Sequence, residues 1–286
     1  MRSAAARTVY TPAMLAVGSV VAGRYELRSL IDAGGWCAVW QAMDLDRRET
    51  VAIKTCECSE TADPPGIGAR YVAETRMLAR ISDPGIVPLR DHGYDPPIAW
   101  AVMPLLIGES LRTRLATAAP VPSAVAMAWV WQAATALHAV HRFGVVHSGL
   151  RPSRLFLLAD DRLVLTDFGQ LHGFMPLYDI ARLREAGLLS ATATYLSPEQ
   201  ACGDQVQVAT DIYHLGLVAY ECLTGNPPFA AQEPLEVAIK HVREPPPQLP
   251  AAIPEPVRDL VSRCLAKSPS DRWPTAAALA AAAAAA

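Results

Sequence analysis

The chain has no run of about 20 clean apolar residues, the length that a membrane-crossing helix requires. Its longest apolar stretch, residues 124–140, is interrupted by Gln132 and His138 and reads as a buried helix. Residues 1–16 hold arginines and scattered apolar side chains but no continuous apolar core, so no secretion signal is expected there. The expected location is cytoplasmic, either free or as the cytosolic part of a larger membrane-anchored protein. An excess of positive charge is also missing. Lys and Arg number 25 against 28 Asp and Glu, a formal net charge of −3, and nucleic acid is therefore not an expected partner. Of the six cysteines, at 37, 56, 58, 202, 222 and 264, only Cys56 and Cys58 are close. Cys-x-Cys with no second pair and no neighbouring histidines is a poor zinc signal. Six reduced, mostly buried thiols are expected. There is no internal repeat.

What the chain does have is enough apolar substance for a core. Half of its 286 residues are hydrophobic and 19% are charged, the balance of a folded protein with two domains or one two-lobed domain. Short apolar runs from Arg24 to Val51, broken by Gly34-Gly35 and a charged turn at 44–49, predict an antiparallel meander. A helical period follows over residues 69–81, with Val72, Met77, Leu78 and Ile81 on one side, and then two strands at 86–89 and 98–103. After Gly108 the pattern turns helical. Ser123 is expected to cap a helix reaching Arg142, and further helices are expected at 211–223, 235–242 and 254–265. Strands first and helices afterwards predict an α+β fold of two lobes. The expected organisation is a flexible arm at 1–16, a first lobe at 17–103, a hinge at 104–108, a second lobe at 109–275 and an Ala-rich tail at 276–286, which could extend a helix.

Several short phrases then fall in one order. His147-Ser148-Gly149-Leu150-Arg151-Pro152-Ser153-Arg154 precedes Asp167-Phe168-Gly169, and Val51-Ala52-Ile53-Lys54 precedes both. Tyr195-Leu196-Ser197-Pro198-Glu199-Gln200 and Leu223-Thr224-Gly225-Asn226-Pro227-Pro228-Phe229 follow them. In this order and spacing they resemble a protein kinase over residues 17–273, in the manner of the bacterial serine/threonine kinases of eukaryotic type. The resemblance implies that Lys54 holds the α and β phosphates of ATP and that Glu74 pairs with it. It implies nucleotide contacts from Gly34, Gly35, Val39, Ala52, Met103 and Phe156, with the Pro104 carbonyl and the Leu106 N–H facing an adenine. Asp167 would be the metal ligand. Leu78, Leu89, His147 and Phe168 would stack as internal supports, with His147 structural rather than a base. Asp211 would anchor the catalytic loop, and Glu199 and Arg272 would form a buried ion pair.

The departures from the family pattern gather where phosphate and hydroxyl would meet. Gly149 stands where kinases keep the aspartate that orients the substrate hydroxyl, and Arg154 where they keep a metal-binding asparagine. Glycine has no side chain to accept a proton, and arginine is a fixed cation that cannot ligate Mg²⁺. Arg151 replaces the usual catalytic-loop lysine, and Ser148 the arginine that grips a phosphorylated activation segment carrying Ser190, Thr192 and Thr194. The glycine loop has Asp32 and Cys37 at its first and third glycine positions. No catalytic residue is expected to be intact. The expected function is that of a pseudokinase, a regulatory binding or scaffold module in signalling. ATP is its candidate ligand, while one of the two protein ligands for Mg²⁺ is gone. A protein partner is expected, an active kinase or a phosphopeptide-reading domain. Arg154 could neutralise phosphate directly, or could pair with Asp167 and exclude nucleotide. The alternative is a weakly active serine/threonine kinase, or another phosphoryl or nucleotidyl transferase with a reorganised site.

Overall fold

The computed structural model describes residues 15–34, 37–58, 67–168 and 193–286, and these fall into two compact units. The first takes in the described residues of 1–80 and 88–106. Its sheet runs β1 (Val20–Val21), β2 (Tyr25–Gly34), β3 (Cys37–Asp44), β4 (Glu49–Glu57), β6 (Ile98–Pro104) and β5 (Asp91–Asp95), all antiparallel. Successive side chains on a strand point to opposite faces, so β3 buries Ala38, Trp40, Ala42 and Asp44 and leaves the residues between them half-buried. Ala38, Trp40 and Ala42 join Tyr25, Leu27, Val51, Ile53 and Val102 in a core on one face of the sheet. There the Trp40 indole N–H donates to the Thr55 hydroxyl at 3.1 Å.

Helix α1 (Ile67–Leu78) belongs to the same unit. It buries Tyr71, Thr75 and Leu78, one helical face at i, i+4 and i+7. Met77, expected on that face, is exposed. Leu78 and Ile81 are buried as expected, while Tyr71 and Thr75 take the inward positions nearer the start of the helix, Thr75 donating its hydroxyl to the Tyr71 carbonyl (2.7 Å).

The second unit holds residues 81–87 and the described residues from 107 on. A small sheet of β7 (Gly108–Ser110), β8 (Leu155–Leu158) and β9 (Leu163–Leu165) lies beside the helices α2 (Leu111–Ala118), α3 (Ser123–His141), α4 (Pro198–Cys202), α5 (Val208–Thr224), α6 (Pro234–Arg243), α7 (Glu255–Cys264) and α8 (Ala276–Ala285). Gly108 opens β7 at φ +149°, and a Cβ there would lie 2.0 Å from the Leu157 carbonyl oxygen, so no other residue fits. Helix α5 is buried along almost its whole length. Helix α8 lies against α3 and buries Ala276, Leu279, Ala280 and Ala283.

Three local expectations are corrected. Residues 86–89 form no strand, only a single parallel bridge from Ile86 to Leu165, since Pro88 has no N–H to extend a ladder. Ser123 does not cap α3 but is its first residue, and the Pro122 carbonyl accepts the first helical N–H groups. The third concerns the thiols. Cys37 and Cys56 form a disulfide, because the β3–β4 register sets them directly opposite each other, Cα to Cα 4.1 Å.

Candidate nucleotide site and catalytic loop

In the first unit the strand register collects the residues expected at a nucleotide. Val39 faces Lys54 and Gln41 faces Ala52 across β3 and β4, and Ala52 faces Met103 across β4 and β6. Opposed residues share a face, and this face lies opposite the Trp40 core. Val39, Ala52, Lys54 and Met103 therefore sit side by side, with Lys54 buried among them at 8% exposure. Pro104 ends β6 opposite Val51, and Pro104 and Leu106 are both half-buried. Gly34 ends β2 opposite Cys37, while Gly35 lies outside the described residues. Glu74 lies on α1, but its side chain is not among those described. Asp32 is exposed, and its carboxylate accepts from the Ala33 N–H.

In the second unit one carboxylate shapes the catalytic loop. Asp211, in the first turn of α5, is fully buried and accepts from the His147 N–H (2.8 Å), the Ser148 N–H (2.8 Å) and the His141 Nε2–H (2.7 Å). Burial alone would raise its carboxyl pKa, yet His141 and the other imidazoles around it hold it below the ordinary value. These bonds fix Ser148 at φ +57°, a left-handed conformation costly for a residue with a Cβ. The Gln200 amide donates to the Ser148 carbonyl at 2.8 Å and locks it from the other side. His147 is fully buried, stacks on Phe168 with ring centroids 4.7 Å apart, and is held by burial to a pKa of about 4. Its Nε2 lies 3.1 Å from the Thr166 carbonyl, a bond that requires the proton on Nε2. A neutral imidazole committed in this way is a structural support.

Gly149 is half-buried and offers the loop no side chain. Its carbonyl accepts from Arg154 Nη1 at 2.8 Å. Arg154 closes a single 3₁₀ turn, Pro152–Arg154, begun by a proline whose fixed φ suits that position. Its own carbonyl accepts from both the N–H (3.0 Å) and the hydroxyl (3.2 Å) of Thr166, which sets Asp167 next to it. The Arg154 guanidinium is 5% exposed, with Nε 3.9 Å from Asp167 Oδ2, a Coulombic contact but too long for a hydrogen bond. Burial, helped by nearby Arg151, lowers the Arg154 pKa to about 10, and Asp167 pulls the other way. A fixed cation thus sits where a divalent ion would share the Asp167 carboxylate. The donor set does not fit Mg²⁺, which prefers several oxygen ligands. Phe156 lies half-buried on β8 between Ser110 and Val164.

The expected ion pair is present. Glu199 and Arg272 form a buried bidentate pair at 2.8 and 2.9 Å, and Thr210 adds a hydroxyl donor at 2.7 Å. Leu78 is buried and Leu89 half-buried in the first unit. Thr194 is half-buried, and its carbonyl lies 3.2 Å from His241 Nε2. Ser190 and Thr192 fall outside the described residues. The sequence reading missed His141 as the third donor to Asp211 and Gln200 as the link to Ser148.

The sequence profile of the protein kinase domain matches residues 25–282. The chain belongs to the protein kinase domain family. It is 36% identical over 262 residues to the serine/threonine-protein kinase PknA of Mycobacterium tuberculosis, covering 90% of this chain and 60% of that protein. It is 34% identical over 261 residues to PknB of Mycobacterium leprae, covering 89% of this chain and 41% of that protein. The chain thus spans 60% or less of the length of these two relatives. The crystal structure of the Mycobacterium tuberculosis PknI kinase domain, in a cysteine-to-alanine mutant, superposes with a TM-score of 0.74 at 25% identity, covering 95% of this chain and 98% of that one. The expected α+β, two-lobed kinase fold is therefore correct. Among the described residues no helix is long and apolar enough to cross a membrane.

Proposed function

We propose that this kinase domain is a binding module that holds a nucleoside triphosphate without transferring its phosphate efficiently. The observation that carries the reading is the Gly149–Arg154 arrangement. The residue matching the family's hydroxyl-orienting aspartate has no side chain, and its carbonyl is held by a buried guanidinium that also faces Asp167. A positioned general base is worth roughly 10²–10⁴ in rate, and no residue of the loop replaces it. His147 is neutral and tied to Thr166, and Ser148 is not a base at neutral pH. Lys54, Ala52, Val39 and Met103 would still receive a nucleotide, and Arg154 offers a fixed cation in place of the family's metal-binding asparagine.

In this reading the domain acts by conformation and by nucleotide occupancy. Its partner would be a protein, an active kinase or a phosphopeptide-reading domain, met in the cytoplasm. The test is a thermal-shift titration with ATP, with and without Mg²⁺, beside a labelled-ATP transfer assay. A ligand-dependent rise that is the same with and without Mg²⁺, with no transfer above background, is the expected result. No shift in either condition would remove nucleotide from the reading.

The second reading is a weakly active kinase. Retention of Lys54 and Asp167, and likeness to proteins named as serine/threonine kinases, favour it. Label transfer that disappears in both Lys54→Ala and Asp167→Ala would establish it against the first.

A further inference from the structure

A cavity among the helices of the second unit uses no residue of the nucleotide strands or of the catalytic loop. It has a volume of about 230 Å³ and lies where α5 packs against α7, walled by residues 244–254, the connection from α6 to α7. That connection holds Pro245, Pro246, Pro247, Pro250 and Pro254. A proline ring fixes its own φ, so the wall made by Pro246, Pro247 and the buried Leu249 is stiff. Sites for drug-sized ligands begin at about 300 Å³, and this smaller cavity suits a body of about one ring. Three donors line it. Arg258 and Ser262 lie one turn apart on the same face of α7, and Tyr220 reaches it from near the end of α5. The Arg258 Nε–H is enclosed, yet it has no hydrogen-bond acceptor among the described residues. A buried donor left unpaired costs the fold stability, more so when it is charged, and an anion in the cavity removes that cost. The Tyr220 phenol is buried as well, and burial alone raises its pKa, with no hydrogen bond or neighbouring charge contributing. It stays protonated and can donate. Gln248 and Asp259 also line the cavity and are exposed. The Asp259 carboxylate is a like charge to any anion there, and it penalises a dianionic phosphate more than a monoanion.

We infer that this cavity binds a small organic carboxylate, held by the Arg258 guanidinium and the Tyr220 hydroxyl with its apolar body against Pro246, Pro247 and Leu249. The arginine Nε–H and the Nη–H beside it form a planar fork that matches the two oxygens of a carboxylate. The Tyr220 hydroxyl and the Ser262 hydroxyl supply neutral donors to the remaining lone pairs. Occupancy ties the α6–α7 connection to the far end of α5, the helix whose first turn holds Asp211. The inference does not depend on nucleotide binding.

The experiment titrates the whole chain with benzoate, benzamide and phenyl phosphate in a calorimeter at one ionic strength. Benzoate is expected to bind with a Kd on the order of 1 mM, the range open to so few atoms. Benzamide, of the same shape without the charge, should bind at least about tenfold more weakly, and phenyl phosphate no more tightly than benzoate. Arg258→Met should weaken benzoate about tenfold or more. Tyr220→Phe, which removes one hydroxyl and keeps the ring, should weaken it about three- to tenfold, and it is the second variant should the first fold poorly. Asp259→Asn removes a like charge and should tighten benzoate about two- to threefold. No benzoate binding, or an affinity unchanged in Arg258→Met and in Tyr220→Phe, would overturn the site. Weaker binding in Asp259→Asn, or phenyl phosphate bound more tightly than benzoate, would overturn the carboxylate class.

Discussion

Replacing Arg154 by methionine separates a residue kept for charge from one kept for stability. Burial lowers the Arg154 pKa from 12.5 to about 10. At neutral pH the group is charged both folded and unfolded, so the depressed value means that the folded state bears a cation it disfavours. At 1.36 kcal/mol for each unit of pKa, that cost is about 3 kcal/mol. Methionine fills much of the same volume without charge, and the loss is the 2.8 Å bond to the Gly149 carbonyl, about 2 kcal/mol for a charged donor. Gly149 is half-buried, and water can take that carbonyl. The net expectation is a gain of about 1 kcal/mol, a rise in Tm of about 2–4 °C. Binding of ATP without Mg²⁺ should move the other way, weakening roughly ten- to a hundred-fold with the loss of one charge-assisted phosphate contact. Urea unfolding gives the first quantity and calorimetric titration the second. A loss of more than about 2 kcal/mol in stability would refute the charge argument. Unchanged affinity for metal-free ATP would refute the assignment of Arg154 to phosphate.

Two other perturbations test the supports. Arg272→Met leaves the Glu199 carboxylate buried with only the Thr210 hydroxyl, and should cost about 3–5 kcal/mol in urea unfolding; a cost under about 1 kcal/mol would show that the pair is not structural. Burial lowers His147 and His214 to about 4 and His241 to about 3, so the unfolded chain takes up these protons near pH 6.5 and the folded chain only near their lowered values. Stability should therefore hold above pH 7 and fall by about 4 kcal/mol on going to pH 5.5, and a urea midpoint indifferent to that change would contradict the assignment of these imidazoles as buried and neutral.

The kinase frame was legible because its motifs are tied to element junctions. Val51-Ala52-Ile53-Lys54 reads as a strand from its apolar content, and β4 is that strand. The Glu199–Arg272 pair and the Asp211 anchor followed from the resemblance and stand in the structure at hydrogen-bonding distance. What the sequence concealed was mostly non-local. Nothing near His141 signals that it donates to a carboxylate 70 positions away. The small sheet of β7, β8 and β9 joins segments too short for any period to show. The Cys37–Cys56 pair was within reach of sequence reasoning. Once Val39 and Lys54 are taken as facing neighbours, two steps further along each strand bring the cysteines together.

Asp211 has a consequence for the order in which the chain acquires its shape. The catalytic-loop amides at 147 and 148 have their acceptor 64 and 63 residues later in the chain, on α5. A ribosome delivering the chain from its N-terminus therefore releases the loop well before the carboxylate that holds it. Until α5 arrives, the left-handed turn at Ser148 has nothing to offset its cost. The loop is set by a helix that follows it in the chain.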